Sequence, residues 1–145
     1  MNIKMRMIGD KVDSNTLLID ANKLQLGTKV YTKKFPFTKD VGVLTVIEGL
    51  REERNSFQIA VKSSQGELLG KGGVFRAKIK NRASDEAIVV YNINKAYFEN
   101  RNDFYIIELW SNDQMLDSFE LGADADIYKI YEILDEKGSI SLLEW

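Results

Sequence analysis

Val41-Gly42-Val43-Leu44-Thr45-Val46-Ile47 is the stretch that decides the fold class. It is a nearly unbroken apolar run, rich in β-branched residues and of strand length, as expected of a central strand covered on both faces. Around it the sequence alternates with period two. Phe57, Ile59 and Val61 alternate with Gln58, Ala60 and Lys62, and Phe75, Ala77 and Ile79 alternate with Arg76, Lys78 and Lys80. Successive side chains of a strand point to opposite faces, so each alternation reads as a strand with one face in a core. Ile88-Val89-Val90-Tyr91 and Phe104 to Trp110 are further strands, and Met115 to Leu121 pairs back onto the second of these. Turn residues (Gly, Asn, Asp and Ser) punctuate the strands at a spacing that suits an all-β sandwich or barrel, and an antiparallel β-sandwich is the expected fold.

The hairpin grammar occurs twice. Phe57-x-Ile59-x-Val61 leads through Ser63-Ser64-Gln65-Gly66 into Leu68-Leu69, and Tyr105-x-Ile107-x-Leu109 leads through Ser111-Asn112-Asp113-Gln114 into Met115-Leu116. One pair does not make a repeat protein. The exception to β periodicity is Asp124 to Lys137. There Ile127, Ile130, Tyr131 and Leu134 form one helical stripe, with Asp124 or Asp126 as cap and Gly138 as stop, so a single C-terminal helix is expected over about 124–137. The single proline, Pro36, is expected to fix a bend in Phe35-Pro36-Phe37 ahead of the central strand.

With 145 residues, 44% of them hydrophobic and 29% charged, the chain fits one globular domain spanning 1–145. It holds no His and no Cys. That removes the commonest acid–base group, the thiolate nucleophile, disulfides and thiolate or imidazole metal sites, so a non-enzymatic protein with no cofactor and no metal is expected. The start, Met1 to Ile8, alternates apolar and polar residues instead of forming a signal-peptide run. No stretch reaches the length of a membrane span. A soluble, cytoplasmic protein is the reading.

Charge is segregated along the chain. Residues 1–82 carry 16 Lys and Arg against 8 Asp and Glu, whereas residues 83–145 carry 4 against 14. Such asymmetry points to charged partners or to self-association. Arg76, Lys78, Lys80 and Arg82 fall at strict period two, so on one strand they share a face that can meet a partner or an anion; the alternative is a solvated outer face. Lys29, Lys33, Lys34 and Lys39 surround Phe35 and Phe37, which either anchor a docking loop or plug the end of the core. Asp103, Asp124 and Asp126 fall short of the oxygen ligands a calcium ion needs and read as capping and loop charge. Trp145 closes the domain's own core or inserts into another subunit.

The lead of Phe35-Pro36-Phe37 into Val43-Leu44-Thr45-Val46, the run from Phe57-Gln58-Ile59-Ala60-Val61 through Gly66-Glu67-Leu68-Leu69, and the late Phe104-Tyr105-Ile106-Ile107-Glu108-Leu109 strand resemble a family of uncharacterised bacterial and phage β-sandwich proteins. The resemblance covers about residues 16–121 and implies an Ig- or C2-like sandwich with no activity and no catalytic residues. Together these features favour a non-enzymatic interaction or assembly module that binds a protein partner or another copy of itself through opposed charged surfaces. A nucleic-acid or polyanion binder using the basic stripe is the second reading, and a carboxylate-dependent enzyme the third.

Overall fold

The computed structural model describes residues 2–12, 24–48, 56–78 and 86–125, with backbone alone for 75–78. Ten strands follow one another: β1 (Asn2–Asp10), β2 (Leu24–Leu26), β3 (Lys29–Thr32), β4 (Phe37–Glu48), β5 (Phe57–Lys62), β6 (Leu68–Gly73), β7 (Phe75–Lys78), β8 (Ala87–Phe98), β9 (Phe104–Ser111) and β10 (Gln114–Ala125). They form two five-stranded sheets. Sheet I has the order β2-β1-β4-β8-β7, and sheet II the order β3-β10-β9-β5-β6. No helix among the described residues is long and apolar enough to cross a membrane.

The central run 41–47 lies in β4, between β1 and β8. Val41, Val43 and Ile47 enter the core between the sheets with Ile8, Val89, Tyr91, Ile59, Ile107, Leu109 and Leu121. On its opposite face, Leu44 and Val46 form a smaller cluster with Leu24 and Val90, flanked by Met7, Val12 and Ile88. A strand buried on both faces cannot alternate, which is why its sequence is continuous. Gly42 is required here. A Cβ at that position would lie 2.3 Å from the Asp10 backbone oxygen, because the chain beyond β1 crosses directly over it. Asn92, paired with Gly42, holds that crossing: its side-chain amide donates to the Val12 oxygen (2.8 Å) and accepts from the Val12 nitrogen (2.9 Å).

Only Gly27 and Thr28 separate β2 from β3, and only Val74 separates β6 from β7. Each pair is one run of chain that leaves the edge of one sheet and joins the edge of the other, turning the sandwich into a flattened barrel. The first crossing brings β3 alongside β10 in parallel, the one departure from the expected antiparallel pattern among the described strands. That pairing also carries β10 further than the sequence suggests. Asp124 and Ala125 are strand, matched to Tyr31 and Thr32, with Ala123 buried behind them, so the helix does not begin at Asp124. The rest of the expected helix, 126–137, lies outside the described residues, as do Lys80, Arg82 and Trp145.

The two hairpins form as read. Asn112 and Asp113 both adopt positive φ (49° and 68°), joining β9 to β10 by a two-residue turn of the kind that matches strand twist. Between β5 and β6 the Ser63 hydroxyl accepts the Gln65 and Glu67 amides, and Gly66 takes the left-handed position at φ 88°.

The interior is not wholly apolar. Arg6 stands opposite Thr45 in sheet I and grips Asp117 of β10, its Nε 3.1 Å from Oδ2, with its guanidinium 4.1 Å from the centre of the Phe119 ring. Tyr91 and Thr45 are neighbouring buried residues, but among the described residues neither hydroxyl closes a hydrogen bond of good geometry. Burial holds the Tyr91 phenol well above its ordinary pKa, and the Asp117 carboxylate adds to that rise.

Candidate functional site at the open seam of the barrel

Among the described residues the barrel is incomplete along one line. β7 pairs with β8 only from Ala87 to Val90, so from Tyr91 to Phe98 no described strand covers the side of β8 away from β4. Across from it runs β6, an outer strand of sheet II. Between these two edges lies a cleft of about 330 Å³.

Its emptiness has a sequence cause. Gly70 and Gly72 pair with Val61 and Ile59, so they occupy the core-facing positions of β6. A Cβ at either would meet nothing within 4 Å, and neither needs a positive φ. Glycine in a strand costs about 0.5–1 kcal/mol relative to alanine. Among the described residues nothing repays that cost at these two positions, and such glycines mark places where another backbone or a ligand comes close. Ile59, Val61, Ile93 and Ala96 make an apolar floor, with Lys71 and Lys95 at the rim.

The β8 bank is shaped by a bulge. Lys39 and Val41 flank one residue where Ala96 and Ile93 flank two, and Lys95 sits at φ 57° with its amide donating to the Asp40 carboxylate (2.8 Å). Beyond it the Tyr105 hydroxyl, reaching across from β9, accepts the Tyr97 amide (3.1 Å) and donates to the Tyr97 carbonyl (2.8 Å). A side chain thereby satisfies backbone groups that a neighbouring strand would otherwise satisfy. Phe98 packs edge-on against Tyr105, Phe37 stacks on Phe98, and Phe35 packs edge-on against Phe37, with ring centroids 5.3–5.6 Å apart. Phe35 and Phe37 thus close the end of the core and support the tyrosine that ends the seam; the Phe35–Pro36 bond between them is cis.

The exposed side of β6 is apolar where it leaves the hairpin, with Leu68 52% and Leu69 56% exposed. Of the basic stripe, Arg76 and Lys78 lie on β7, opposite Val89 and Ala87, just beyond the β6 end of the seam.

The segregated charge is redistributed by the topology. Among the described residues Lys4 pairs with Glu86, Arg6 with Asp117, Lys29 with Asp124 and Lys62 with Glu108, each joining a cation from residues 1–82 to an anion from residues 83–145. Strands of the two portions lie side by side in both sheets, so segregation in sequence is interleaved in space. Asp124 also meets Arg101 at 3.1 Å, and its pKa is held low by the Ala125 amide first and then by these cations. The Asp103 carboxylate accepts the Glu99 and Asn100 amides, capping the turn before β9.

Sequence reasoning missed Gly70, Gly72, Lys95 and Tyr105. The available signal was the cluster Gly70-x-Gly72-Gly73, too many glycines for a strand that had only itself to stabilise. No protein-family model, curated protein or solved structure matches the chain.

Proposed function

We propose that the protein is a non-enzymatic interaction module that takes an extended segment of a polypeptide partner into the seam between β6 and β8. The observation that carries this reading is the pair of core-facing glycines on an outer strand, facing a second uncovered strand edge over an apolar floor. Adding a strand supplies main-chain hydrogen bonds to the exposed edge, while alternate side chains of the guest fill the space that Gly70 and Gly72 leave. The rim lysines Lys71 and Lys95 favour acidic residues at the guest's outward positions. Ion pairing within the fold already neutralises much of the segregated charge, so main-chain pairing in the seam, not opposed charged faces, is the main source of contact.

Panning the folded chain against a library of extended decapeptides tests this. Selected peptides should alternate apolar and acidic residues, slow hydrogen exchange at the amides of Leu69–Gly73, and lose binding to Gly72→Val. Peptides that protect other strands, or that bind Gly72→Val as well as the parent, would refute it.

A further inference from the structure

The outer face of sheet II holds a second groove of about 640 Å³. Its floor is Ala60, which stands opposite Glu108 on one side and Lys71 on the other. Gln58 stands opposite Trp110 in the adjoining row. The small side chain at Ala60, flanked by larger ones, makes the depression.

Two interactions fix its walls. The Trp110 indole N–H donates to Glu108 Oε1 at 3.1 Å, and Lys62 Nζ donates to Glu108 Oε2 at 3.1 Å. Glu108 is only 8% exposed, although it belongs to the face of the sheet turned away from the core. Burying a carboxylate this way adds little net stability, because desolvation offsets the attraction of its partners. It does hold the indole and the ammonium in place beside each other. With both oxygens engaged, Glu108 ties Trp110 at its polar edge, and Trp110 is among the residues that line the groove.

The groove's charges balance. Lys62 and Lys71 are matched by Glu108 and Asp113. A phosphate or sulfate entering it would meet two carboxylates, and an apolar ligand would strip water from the exposed Lys71 and Asp113. The ligand that fits is neutral, with many hydroxyls and one apolar face. We infer that this groove binds a neutral saccharide. A pyranose ring lays its C–H face on Trp110, and its hydroxyls exchange hydrogen bonds with Gln58, Lys71 and the remaining lone pairs of Glu108. Gln58 supplies both a donor and an acceptor, and the Lys62–Glu108 pair places a donor next to an acceptor. Such a site needs no catalytic group; it adjoins the seam at Lys71, which lines both.

The test uses the full chain on an array of neutral and anionic glycans, followed by titration calorimetry with hexasaccharides of β-1,4-glucose, β-1,4-N-acetylglucosamine and α-1,4-glucose. At least one neutral glycan should bind saturably, with an affinity that holds as salt rises from about 0.1 M to about 1 M, where long-range charge attraction is screened. Trp110→Ala and Gln58→Ala should each weaken it by about tenfold or more. Gln58 is exposed, so Gln58→Ala should leave the melting temperature unchanged and separates lost contact from lost fold. Silence across all neutral glycans with folded protein would overturn the inference. So would binding confined to anionic glycans and abolished by salt, or binding unaffected by both substitutions.

Discussion

Filling the seam should stabilise the protein while blocking the proposed strand docking. Gly72→Val places a β-branched side chain opposite Ile59, over the apolar floor, where a Cβ meets nothing within 4 Å. Two contributions add. Relieving a strand of a glycine returns about 0.5–1 kcal/mol. Burying a valine side chain fully is worth about 1.5–3 kcal/mol, and in a cleft open to solvent about half of that is realised. The expected gain is about 2 kcal/mol, equivalent to a rise of about 4–8 °C in melting temperature for a chain of this size. Gly73→Val, on the exposed side of the same strand opposite Gln58, serves as control and should gain no more than about 1 kcal/mol. Guanidinium unfolding is the assay, with the midpoint moving and the slope unchanged. A Gly72→Val protein that is less stable than the parent, or no more stable than Gly73→Val, would show that the cleft is not the open space described and would remove the basis for the strand-docking proposal.

Other outcomes follow from the polar interior and the crossing over β4. Thr45→Val replaces a fully buried hydroxyl that lacks a good partner with a methyl group of similar shape, and thermal melts should show a gain of about 1 kcal/mol. Asp117→Ala strands the Arg6 guanidinium between the sheets and should cost about 3–5 kcal/mol by chemical denaturation. Gly42→Ala forces its new methyl against the Asp10 carbonyl and should destabilise by about 2 kcal/mol or more, with Asn92 losing its hold on Val12 in amide exchange. Tyr91 sets an alkaline limit. Its folded pKa lies above the ordinary value of 10.0, so above about pH 10 the unfolded chain releases this proton first. Stability should be level with respect to this group below that pH and fall by about 1.4 kcal/mol per unit above it, and Tyr91→Phe should remove that component of the slope.

Local pattern and non-local pairing divide what the sequence revealed. The run 41–47 declared a strand covered on both sides because double burial suppresses alternation. Ser111-Asn112-Asp113-Gln114 declared its turn because asparagine and aspartate accept positive φ at low cost. β8 was legible only as Ile88 to Tyr91, although it runs to Phe98, because the bulge at Lys95 shifts the alternation and Asn92 and Asn94 interrupt the apolar residues. β6 was read only from its leucines, since glycines carry no periodicity. The strand fate of Asp124 was hidden for a different reason: it depends on parallel pairing with Tyr31, far away in sequence, which overrides a local capping preference. The seam itself required knowing that β7 stops short on β8.

The interleaving of basic and acidic strands has a consequence in time. Synthesis delivers residues 1–82 first, and this portion carries 16 cationic against 8 anionic side chains. Until β8, β9 and β10 arrive, β4, β5 and β3 each lack a neighbour that completes their sheet, so the leading portion has neither a closed core nor its counter-charges. Until then the leading portion carries an excess of positive charge, which attracts the anionic remainder as it emerges. The same logic predicts that two fragments divided after Arg82, of opposite net charge, associate more readily at low salt than at high salt.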